Sequence, residues 1–171
     1  MSLLSRLFNT KPDPREELRP LWHRTVELSR TPALYAEDGV ADTVAGRFDM
    51  ISAILAFVML RLERDRLDVD NVFLTELFVA DMDGQLRETG VGDVVVGKHM
   101  GKLMAALGGR LGAFREALAS ADEAALEAAL ERNVTMADGR DTTTLARRLR
   151  GFAANLAAQD SAEVLAARIS L

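Results

Sequence analysis

The stretch "GRFDMISAILAFVMLRLER", residues 46–64, decides the fold. On a helical wheel of about 100° per residue, Phe48, Met50, Ile51, Ile54, Leu55, Phe57, Val58 and Leu62 cover all but a narrow arc near Asp49, Ser52 and Glu63. A helix that is apolar nearly all round has to be surrounded by other helices to remove that surface from water. This segment is therefore expected at the centre of a bundle. Arg47, at its start, falls on the apolar side of the wheel.

The flanking sequence supplies the surrounding helices. Asp13 can cap a helix with Pro14 at its first position; that helix carries Leu18, Leu21, Trp22, Val26 and Leu28 to about Arg30, and Pro32 stops it. A turn-rich connector follows, with Asp42-Thr43 as the cap of the central helix. Asp70 or Asn71 caps the next helix, which runs to about Thr89, where Gly90 suits a left-handed C-terminal cap with Val91 as its apolar contact. Asp93 caps a helix from about 94 to 120, in which Met100, Met104, Leu107, Leu111, Phe114 and Leu118 form a packing seam. Three Ala-rich helices, about 122–132, 142–158 and 161–169, complete the chain; "DVVVG" at 93–97 is the one weak strand signal. The expected architecture is all-α: a single-domain bundle of about seven to eight helices over 14–171, preceded by an amphipathic segment, 1–13, carrying Leu3, Leu4, Leu7 and Phe8.

Composition narrows the function classes. With 49% hydrophobic residues in 171, the chain has material for a real core, and its 5% aromatics with abundant Ala and Leu favour helix over sheet. There is no cysteine, which removes disulfides, thiolate metal sites and cysteine nucleophiles. A net charge of −5 argues against nucleic acid as a partner. No signal peptide or transit peptide is recognisable, and the longest apolar run, "AILAFVML" at 53–60, is too short to span a bilayer. A soluble, cytoplasmic protein is expected. His23 and His99 are the only histidines, and no Ser-His-Asp set, phosphate loop or zinc signature is present, so no catalytic residue, metal or cofactor is expected.

"LFVADMDGQLRETGVGD", residues 77–93, is unusually acidic. Counted from Asp81, glycine falls at the fourth position, whereas a calcium loop of the EF-hand type needs it at the sixth. Asp81 and Asp83 point about 160° apart on one helix, which also fails as a catalytic pair. Leu74, Leu77, Phe78, Met82 and Leu86 define an apolar face with Asp81 and Gln85 inside it and Glu88 at its edge; Asp83 and Arg87 point outward. A carboxylate in a core stripe demands a cation. Asp81 is expected to meet Arg47, or failing that Lys98, as a clamp fixing helix register; direct contact with a partner is the alternative.

The helix from 94 to 120 contains Gly97, Gly101, Gly108, Gly109 and Gly112, each costing up to about 1 kcal/mol relative to alanine. Either these small residues admit a neighbouring helix within the bundle, or Gly97, Met100, Gly101, Met104 and Gly108 form a groove for an apolar helix from outside. Lys98, His99 and Lys102, with Arg110 and Arg115 beyond, make a basic stripe: a solvated face, or one that meets anionic headgroups or an acidic loop.

Two segments, "LWHRTVELSRTPALYAEDGVADTVAGRFDM" (21–50) and "LTELFVADMDGQLRETGVGDVVVGKHMGKLMAALGGRLGAFREAL" (74–118), resemble the ubiquinol–cytochrome c chaperone family over about residues 20–118. The signature falls on Arg30, Pro32, Tyr35, Asp42, Thr43, Gly46, Arg47, Phe48 and Asp49, then on Asp81, Asp83, Arg87, Glu88, Gly90, Gly92, Asp93 and Lys98. The resemblance implies a non-catalytic factor that handles newly made cytochrome b, or another membrane-protein client, during assembly of the cytochrome bc1 complex. It implies a bacterial member working in the cytoplasm, in peripheral contact with the inner membrane. The rival is a helical small-molecule-binding or enzymatic domain, taking a lipid or quinone-like molecule between the Met-rich helix and residues 46–64. A deep enclosed pocket would favour the rival, and a shallow open groove the chaperone.

Overall fold

Asp13 caps the first element as expected: its carboxylate accepts from the Arg15 backbone N–H at 3.0 Å, and Pro14 occupies the first position. The first turns are a 3-10 helix, Pro14–Leu18, which passes directly into α1, Arg19–Ser29. The computed structural model describes residues 13–88 and 93–171, with side chains described for 13–85 and 100–171. After α1 come α2 (Pro32–Ala36), α3 (Val44–Arg64), α4 (Asp68–Glu88), α5 (Asp93–Ala119), α6 (Ala124–Asn133), α7 (Thr143–Ala158) and α8 (Ser161–Leu165). The architecture is all-α, and among the described residues the only β pairing is an isolated antiparallel bridge between Val40 and Met136. "DVVVG" is the first turn of α5 rather than a strand. The expected caps Gly90 and Asp93 lie outside the residues and side chains described.

α3 is the central helix. It packs against α1, α4, α5 and α7, and every residue from Asp49 to Met59 is buried. Burying each Ile, Leu, Phe or Met there contributes on the order of 1.5–3 kcal/mol. Trp22 meets Phe78 edge to face at 6.0 Å, and Phe57 touches both Phe114 and Phe152, so the rings tie α1, α4, α5 and α7 to one core.

Two expectations are corrected. In α5 the buried line is Leu107, Arg110, Phe114 and Ala117; Met104 is exposed, and Met100, Leu111 and Leu118 are only partly covered. The 3–4 rhythm is right, but the helix is rotated toward the face where Arg110 finds a buried acceptor. The last helix ends at Leu165 rather than 169, because Ala167 turns left-handed (φ +61°) and drops Ile169 into the core.

Candidate functional site

The signature residues from Arg30 to Asp49 gather where the connector meets α3. Thr43 caps α3, its hydroxyl accepting from the Gly46 N–H at 3.2 Å. Gly46 is required by close approach: a Cβ there would lie 2.0 Å from the Ala41 carbonyl oxygen. The Tyr35 hydroxyl donates to the Ser29 carbonyl at 2.7 Å, and the Arg47 guanidinium stands 5.9 Å from the Tyr35 ring centre. Arg47 Nε donates to Asp42 at 2.6 Å, and this bond holds the Asp42 carboxyl below its usual pKa. Burial pushes the Tyr35 phenol up.

Arg30, Pro32, Tyr35, Asp42 and Arg47 line an open cleft of about 450 Å³. Arg30 and Pro32 also line a second one, of about 850 Å³, which runs past Arg15, Arg19, Trp22 and His23 to Asp81. Arg30, Asp42 and Arg47 are exposed and Asp81 half-buried, so charged groups of both signs face these openings.

Two further signature residues, Phe48 and Asp49, meet Arg110, which is not part of the signature. Arg110 of α5 donates through Nη2 to Asp49 Oδ1 and, through Nε and Nη2, to the Asn133 carbonyl at 3.2 and 3.0 Å. Asp49 Oδ2 accepts from the Thr135 N–H at 2.9 Å and its hydroxyl at 2.7 Å. Phe48 lies 5.6 Å beneath the guanidinium. Burial lowers the Arg110 pKa against the opposing pull of Asp49.

The expected Asp81–Arg47 clamp is not formed. Arg47 is turned outward to Asp42, and no described side chain makes an ion pair with Asp81. The wheel had placed Arg47 inward and Asp49 outward; the structure reverses both. The arc of Asp49 is covered by α5 and the Asn133–Thr135 segment, and a wheel drawn from one helix contains neither. Asp83 is half-buried. The side chains of Arg87, Glu88, Asp93 and Lys98, and residues Gly90 and Gly92, lie outside those described.

On α5, Gly101, Gly108 and Gly109 are exposed, and a Cβ at any of them or at Gly112 would meet nothing within 4 Å. Among the described residues, nothing packs closely against them. Met104 is exposed beside them and Met100 partly covered, so among the described residues this face is open; Gly97 is outside the described side chains. The basic stripe is split: Lys102 is exposed, Arg110 is buried in its ion pair, and Arg115 pairs with Glu63 at 2.8 Å.

Two polar devices went unread in the sequence. Buried Arg61 donates to the Leu156 and Gln159 carbonyls, each at 2.7 Å, and to Asp65, which also accepts from the Ser161 hydroxyl. It satisfies the carbonyls that end α7. Asp38 is fully buried, held by two bonds from Arg148. No signal in the local sequence marks either one, since each joins residues about a hundred positions apart.

A third opening, of about 670 Å³, lies between the C-terminal ends of α3 and α5 and the side of α7. All three are open clefts rather than sealed cavities. No group of three or more His, Asp or Glu that could hold a metal occurs among the described residues, and no described helix is long and apolar enough to cross a membrane.

These features define a helical binding protein whose concave surfaces lie open at its exterior. The chain belongs to the ubiquinol–cytochrome c chaperone family, whose sequence profile matches residues 37–171. The match runs on past the end of the 20–118 resemblance to Leu171 but begins at 37, so Arg30, Pro32 and Tyr35 lie outside it. The crystal structure of the Cbp3 homolog from Brucella abortus is similar, with a TM-score of 0.78 at 28% identity over 98% of this chain and 96% of that one. No curated protein matches the sequence.

Proposed function

We propose that this chain is a non-catalytic assembly chaperone that receives apolar helices of cytochrome b, at the cytoplasmic face of a membrane, on the open face of α5. The observation that carries the reading is that no described residue fills the space over Gly101, Gly108, Gly109 and Gly112 beside exposed Met104. A helix built at a cost of about 1 kcal/mol per glycine, whose glycines meet no neighbour among the described residues, is suited to close approach by a helix of another chain. Methionine adapts its shape to irregular apolar partners. The open form of the clefts supports binding of a segment over a sealed small-molecule site. Arg30, Tyr35, Asp42, Arg47 and Asp81 would then form the polar corner contacted by loops of the client.

The test is recovery of cytochrome b with the tagged chain from gently solubilised native cells, quantified by mass spectrometry. Met104→Glu and Gly108→Glu should lower that recovery about tenfold without lowering the melting temperature. Wild-type recovery of cytochrome b no greater than that of other equally apolar membrane proteins would overturn the reading.

A further inference from the structure

The trough between α3, α5 and α7 lies at the opposite end of α5 from Met100 and Met104. Its floor is Phe57, Leu60, Leu118 and Leu156, and one wall is the alanine side of α7. Arginines stand on three sides: Arg64 from α3, Arg115 from α5 and Arg150 from α7. We propose that this trough is the docking site for an acidic amphipathic α-helix of a partner protein.

Charge and spacing carry the proposal. Of the rim carboxylates, Glu63 is engaged by Arg115 at 2.8 Å, and Asp65 is shared by Arg61 and Arg64. Four arginines thus face two carboxylates, a local excess of positive charge on a chain of net charge −5. Glu123 and Glu127 lie with Arg147 in a neighbouring cleft beyond Arg150. Arg64 reaches the Ala157 carbonyl at 3.2 Å and Arg150 the Glu123 carbonyl at 3.2 Å, leaving further guanidinium N–H groups for an incoming anion.

Arg64 is anchored at Ala157, and Arg150 lies seven residues earlier on the same helix, about 10 Å at 1.5 Å per residue. One lipid headgroup does not span that distance, whereas carboxylates two turns apart on a helix do. The exposed Ala154 and Ala157 let a helix axis come close, and the apolar floor receives its other face. Residues 1–12 of this chain carry Arg6 and Lys11 and no carboxylate, so they have the wrong charge to fill the trough.

The test uses the full chain and two labelled 14-residue helical peptides with identical Leu/Ala faces. One carries two Glu residues seven positions apart, and the other carries Lys at those positions; binding is read by fluorescence anisotropy. The Glu peptide should bind the wild type at least tenfold tighter than the Lys peptide. The double variant Arg64→Glu/Arg150→Glu should invert that preference, which a merely destabilised chain would not do. Failure of the Glu peptide to bind the wild type, or a preference unmoved by the double variant, overturns the proposal. So does binding to phosphatidylglycerol vesicles that is lost in the double variant while the peptides stay inert, which would assign the trough to lipid. A concentration-dependent dimer that dissociates with Ala154→Arg would assign it to a second copy and equally overturn it.

Discussion

Asp49 on α3 and Arg110 on α5 form a buried ion pair, with side chains 12% and 9% exposed, that joins the central helix to the helix carrying the open glycine face. Because the Asn133 carbonyl and Thr135 complete the bonding, the pair also locks the segment after α6. Asp49→Ala should cost about 3–5 kcal/mol, since it strands a buried guanidinium. Asp49→Leu/Arg110→Met should recover much of that loss. Denaturant unfolding of the single and double variants checks both; equal losses in the two would mean the pair itself stabilises the fold.

At the start of α3 the constraint is steric. Gly46→Ala should destabilise by about 1–3 kcal/mol, because the new methyl meets backbone rather than a movable side chain. Thr43→Ala, which loses only the cap, should cost about 1 kcal/mol. Thermal melts would separate the two, with the glycine variant lower.

Asp81 gives the opposite expectation. Half-buried in an open cleft, with no described cation paired to it, it should accept Asn at a cost within about 0.5 kcal/mol. A drop in melting temperature of more than about 4 °C would restore a clamp at this position.

Gly108→Ala should raise stability by roughly 0.5–1 kcal/mol, since the site is helical and empty space surrounds it. If the α5 face holds a client, the same change should reduce cytochrome b recovery. A stabilised variant with full recovery would separate this face from client binding.

The acid limb of stability should depend on Asp65. Hydrogen bonding from Ser161, and then from Arg61, holds its carboxyl at about 2, below the ordinary 3.8. A depressed folded-state pKa gives stability that is complete above the unfolded value and lost as pH falls through the folded one. Asp65→Asn should therefore lie below the wild type at pH 6, and the gap should close between about pH 4 and 2. Melting curves across that range would show it, and a gap independent of pH would contradict it.

The central helix and the order of the longer helices were legible in the sequence, because a wholly apolar helix and caps such as Thr43 act within a turn or two of themselves. Pro32–Ala36, expected as a turn-rich connector, is a short helix, and α4 starts at Asp68, ahead of the expected caps Asp70 and Asn71. The glycine-rich helix was legible as a composition; whether its glycines face a neighbour or open space was not. The sequence by itself determined an all-α bundle wrapped around residues 46–64. Only the tertiary structure decided that Asp49 points inward and Arg47 outward, that Asp81 faces a cleft, and that Arg61 caps a helix ending near Leu156. The physical reason is that the burial of a polar group depends on which distant segment covers it, and its partner lies 61 to 98 residues away in the buried clamps of Asp49 and Arg61. Helical periodicity carries no term for such a partner.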